Sequence, residues 1–70
     1  MEHEHLEQAH RHVAEAERVV AKQIALVERL KAHGHDVTIA ENLLETFRSN
    51  LEAHRRHRDF IIEVIAEGGK

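Results

Sequence analysis

Apolar residues recur along the first half of the chain in steps of seven. Leu6, Val13, Val20 and Val27 form one row, and Ala9, Ala16, Gln23 and Leu30 form a second, with Ile24 beside it. Two such rows make the narrow seam of a helix packed against one neighbour. A first helix is therefore expected from about residue 3 to about residue 33. The pattern breaks at His33-Gly34-His35-Asp36-Val37-Thr38. It resumes with Ala40, Leu43, Leu44, Phe47, Leu51, His54, Ile61, Val64 and Ile65. Gly34 suits the left-handed position that ends a helix. Thr38-Ile39-Ala40-Glu41 reads as a capping box, with Asp36 as the rival cap. The turn then covers 34–37, and the second helix runs from about 38 to about 67, stopped by Gly68 and Gly69.

So short a turn sets the helices antiparallel and side by side. The expected fold is all-α, one helical hairpin over residues 1–70. Pairing positions whose numbers sum to roughly 70 sets Leu30 on Ala40, Val27 on Leu43, and Gln23 or Ile24 on Phe47. Val20 then meets Leu51, and Leu6 meets Val64 or Ile65. Between Phe47 and Phe60 only Leu51 and Ala53 are apolar, so the core should have apolar ends and a polar waist. Leu26 of the first helix lies off the seam, and Leu44, Phe60 and Ile62 give the second helix a further apolar face beside it, which must be covered. A second copy covers it most simply, making a homodimeric four-helix bundle. The expected core and interface residues are Val13, Val20, Val27, Leu30, Leu43, Leu44, Phe47, Leu51, Ile61 and Ile65.

Composition agrees with long helices: no Pro and only three Gly in 70 residues. With no Cys there is no disulfide framework and no thiolate metal site, which fits a reducing cytoplasm. The Met1-Glu2-His3-Glu4-His5 start lacks the basic and apolar regions of a signal peptide, and no apolar run is long enough to span a bilayer. A net charge of −3 argues against nucleic acid or an anionic membrane as partner. Histidine changes the picture. The chain has eight, and protonating all of them would take the formal charge from −3 to +5.

His3/His5 and His10/His12 are one residue apart within a helix, so their rings diverge by about 200° and cannot share an ion. His33 and His35 flank the turn, where both rings could be aimed together. His54 and His57 share a helix face, with Glu17 expected opposite His54. Two imidazoles and a carboxylate there would suit Zn²⁺, Ni²⁺ or Fe²⁺. The plainer expectation is a part-buried His54 bonded to Glu17 that fixes register. Glu2/His5 and Glu7/His10 repeat the Glu-x-x-His spacing of carboxylate-bridged di-iron bundles, with Glu63 the nearest further carboxylate. That spacing is common in any Glu/His-rich helix. Arg55, Arg56 and Arg58 form a basic run, which pairing with Glu15, Glu17 and Glu52 explains better than a phosphate site. No residue has the setting of a catalytic nucleophile, so no enzyme and no cofactor is expected.

His12-Val13-Ala14-Glu15, Gln23, Leu30, Gly34-His35-Asp36, Ala40, Leu43-Leu44, Phe47, Leu51 and His54-Arg55-Arg56-His57-Arg58 together carry a likeness. Over this span, about two thirds of the chain, the sequence resembles a group of small, mostly uncharacterised helical-hairpin proteins of proteobacteria. The Gly-His-Asp turn is its most recognisable part. Members usually have Thr directly after that Asp, where this chain has Val37 and then Thr38. The resemblance implies a bacterial, cytoplasmic hairpin and no assigned activity. The expected function is a structural or protein-interaction module acting as a homodimer, with metal binding or a pH response of the histidines as the alternatives. A pH response would weaken association between about pH 7 and 5, as imidazolium gathers at the waist beside the arginines.

Overall fold

Both expected helices form, each 31 residues long: α1 spans Glu2–Ala32 and α2 spans Thr38–Gly68. The structure, a computed structural model, describes residues 2–68, the side chain of Glu2 excepted. Gly69, expected to help stop α2, lies outside the described residues. Two helices pack against each other along their length, with no strand among the described residues. The hairpin measures 58 × 14 × 12 Å.

The turn is built by hydrogen bonds that close both helix ends. Gly34 takes φ +74°, and its N–H donates to the Lys31 carbonyl at 3.0 Å. The N–H of His35 reaches back to the Leu30 carbonyl at 2.9 Å. This pair of bonds is the Schellman arrangement, which requires the left-handed residue that glycine supplies without strain. The His33 ring closes another end group: its Nδ1–H donates to the Arg29 carbonyl at 2.8 Å.

At the start of α2 the capping box does not form. The Glu41 N–H donates to the Val37 carbonyl at 2.8 Å, and the Glu41 carboxylate pairs with Lys31 at 3.5 Å. Asp36 does the capping instead. Its Oδ1 accepts from the Thr38 N–H at 2.9 Å and from the Thr38 hydroxyl at 2.8 Å. The Thr38 hydroxyl thus donates to Asp36 instead of accepting from Glu41, and the carboxylate brings negative charge to the positive end of the helix.

Those two bonds, the backbone one foremost, hold the Asp36 carboxyl below the ordinary aspartate range. A folded value below the unfolded one stabilises the hairpin above about pH 4, and the benefit is lost as pH falls through the folded value. Asp36→Ala should therefore melt below wild type at pH 7, with the gap closing as the pH falls below about 4. A gap independent of pH would show that the carboxylate charge is not what caps α2.

The core is thin. Ala9, Val13, Val27, Leu51 and Ile61 are its buried apolar residues, and Gln23 is buried among them. Of the other expected core residues, Val20, Leu30, Leu44, Phe47 and Ile65 are half-buried. Leu43 is not core in the hairpin: it is 44% exposed, because it sits one position round α2 from the line of Leu44 and Leu51. Val64 lies on the same line as Leu43, three heptads on, and is also exposed.

Candidate functional site

The side chains of Gln23, Glu17, Arg55, His12 and His54 fix how the helices face each other. Gln23 Nε2 donates to the Ala40 carbonyl at 2.9 Å, so Gln23 reaches toward the turn rather than facing Phe47. No buried side-chain nitrogen or oxygen among the described residues lacks a partner. A satisfied polar group inside a thin apolar seam favours one register over its neighbours.

Beside the seam the hairpin has two unlike flanks. On one, Lys31 pairs with Glu41 at 3.5 Å, and Arg55 Nη2 donates to Glu17 Oε2 at 3.3 Å. Glu52 joins Arg55 from the preceding turn of α2 at 3.9 Å. These side chains are about half exposed, so each pair is worth at most about 1 kcal/mol. They nonetheless close that flank with charge.

The other flank is open. A groove there is lined by His12, Glu15, Ala16, Val19, Phe47, Asn50 and His54. A second groove toward the open end is lined by His5, His57, Phe60, Ile61 and Val64. The His12 and His54 rings face each other across the first groove, with centroids 5.5 Å apart.

The expected trio of His54, His57 and Glu17 is thereby split. His54 and His57 border the open flank, whereas Glu17 lies on the ion-paired flank, held by Arg55. The single pairing sum of 70 caused the misplacement. Partners on the ion-paired flank have numbers summing to 72, and those on the open flank to 66, because the two flanks lie on opposite sides of each helix. The residue across from His54 is consequently His12. His33 and His35 do lie close, with ring centroids 6.4 Å apart, but the Arg29 carbonyl takes one His33 nitrogen. Among the described residues no three His, Asp or Glu side chains form a group that could hold a metal ion. Glu7 and His10, from the Glu-x-x-His pattern, are exposed, as is Glu63.

The basic run resolves as expected in part. Arg55 takes Glu17 and Glu52, and Arg58 takes its neighbour Asp59 at 3.1 Å. Glu15, expected with them, borders the open groove instead. His12 and Val19 were missed as parts of a site. A heptad count would have found them, since His5, His12, Val19 and Leu26 fall on one line of α1.

No described helix is long and apolar enough to cross a membrane. Comparison with protein-family models, curated proteins and solved structures gives no match, so the expected proteobacterial group gains no support from it.

Proposed function

We propose that the chain is a non-enzymatic protein-interaction module that works as a homodimer, two hairpins completing a four-helix bundle. The observation that carries this reading is the surface left uncovered. The hairpin exposes 5463 Å², against about 4,500 Å² expected of a compact chain of 8.1 kDa. The excess of roughly 1,000 Å² is close to the about 800 Å² that each partner hides in a standard interface. Apolar side chains contribute to it: Phe60 is 62% exposed, Leu43 44% and Val19 40%. Apolar side chains grouped in this way favour burial against another chain.

A pH-responsive version of the same dimer is the second reading, favoured by the His12/His54 pair in the open groove. Partner proteins other than a second copy would then use the faces left outside the bundle.

The test is thermal unfolding over a wide range of protein concentration, with and without a metal chelator. An obligate homodimer melts higher as concentration rises, because association is linked to folding. The expected result is a rising midpoint that chelator leaves unchanged. A midpoint independent of concentration contradicts the dimer, and one lowered by chelator would make the histidines metal ligands.

A further inference from the structure

The dimer reading does not say which face is used or how the copies are oriented. Among the described residues, every large exposed apolar side chain except Ile62 belongs to one side of the hairpin. Val19 sits on α1, and Ile39, Leu43, Phe60 and Val64 on α2. Leu43 and Val64 are three heptads apart, as are Ile39 and Phe60, so both pairs follow one continuous stripe along the supercoiled helix. Thr46, Asn50, Ala53 and His57 fill the stripe between them. The stripe runs about a quarter turn round α2 from the seam with α1, which is where a square bundle meets its next helix. The ion-paired flank offers no such surface, because Lys31, Glu41, Glu17 and Arg55 already occupy it.

The stripe is symmetric about its own middle. Ile39 and Leu43 stand as far before the point between residues 51 and 52 as Val64 and Phe60 stand after it. Read from either end it is apolar, then polar, then apolar. A two-fold axis across that point lays α2 of one copy antiparallel on α2 of the other. Leu43 then meets Phe60 of the other copy, and Ile39 meets its Val64. The alternative two-fold, along the hairpin, would lay Phe60 and Val64 over the His5 end of α1, a polar segment. Only the first arrangement covers apolar with apolar at both ends.

We infer that a second copy docks on this open flank, with the two α2 helices antiparallel and Leu43 of each copy against Phe60 of the other. The inference rests on the dimer reading and adds the surface and the orientation. It makes the interface isologous: each copy presents the same stripe, and the Leu43–Phe60 contact occurs twice. His57, within the stripe, and His12 and His54, in the groove of the same flank, are then covered near the middle of the interface.

The test compares two exposed sites on α2, one per flank. Phe60→Lys puts an ammonium into the proposed interface, and Ile62→Lys puts one on the ion-paired flank. In sedimentation equilibrium Phe60→Lys should weaken association roughly thirtyfold or more, as loss of an interface anchor does, while remaining helical by circular dichroism. Ile62→Lys should associate as wild type does. A wild-type dimer that Phe60→Lys leaves intact, or that Ile62→Lys dissociates instead, overturns the surface while keeping the dimer. A wild type that is monomeric throughout overturns both.

Orientation is read from Leu43→Cys/Phe60→Cys, in a chain with no native cysteine. A short thiol cross-linker should join two copies of this double variant and neither single variant. In the other arrangement residues 43 and 60 of facing copies stay about 25 Å apart along the helix, and failure of the double variant to cross-link overturns the antiparallel docking.

Discussion

Leu51→Ala removes the large buried side chain that α2 contributes to the waist and should cost about 2–4 kcal/mol. Leu51 is 8% exposed, and its neighbours on the seam of α2 offer nothing to replace it. One turn on either side stand the half-buried Phe47, His54 and Arg55. The nearest buried apolar residue of α2 is Ile61, ten positions away. A chain of this length has a total stability on the order of 4–10 kcal/mol, so the loss is a large share of the whole. Denaturant unfolding followed by helical circular dichroism measures it. A loss below about 1 kcal/mol would mean that the waist is held by its polar groups and not by Leu51.

Acidification should have the second large effect. Lowering the pH from 7 to 5 should destabilise wild type by on the order of 1 kcal/mol more than it destabilises His54→Leu. Histidine is the side chain whose charge can change in that range. Two unit charges at the 5.5 Å separation of the His12 and His54 rings repel by about 1 kcal/mol in water, and by about 3 kcal/mol at an effective dielectric of 20. Glu15 borders the same groove from α1 and offsets part of this. Arg55, His57 and Arg58 follow His54 on α2 and add positive charge. At neutral pH His54→Leu should hold or gain stability, since it replaces a half-buried polar ring with an apolar side chain. Melts of both proteins at the two pH values decide the matter. Equal losses would show that the His12/His54 pair does not carry the pH response.

The architecture was legible in the sequence because hydrophobic period and turn chemistry are local. The seven-residue steps from Leu6 to Leu30 placed α1, and Gly34 with Asp36 placed the turn, each to within a residue or two of the structure. The cap was legible only as a choice. Whether Asp36 or Thr38 caps α2 depends on φ and ψ through residues 36–38, which the residue types alone leave open.

The site was less legible, for a geometric reason. A pairing sum treats each helix as a line, but its side chains occupy a cylinder. His54 and Arg55 are adjacent in sequence and lie on opposite flanks, one facing His12 and the other Glu17. Leu43 and Val64 joined the seam list by being apolar and near the right spacing. One position of rotation carried them to the surface, where they define the stripe that another chain would cover.

Sedimentation equilibrium of the untagged chain near pH 7 decides whether two hairpins associate. The expected result is a species of twice the 8.1 kDa chain mass, dissociating only on dilution. A single species at 8.1 kDa across the concentration range, still helical, would contradict it.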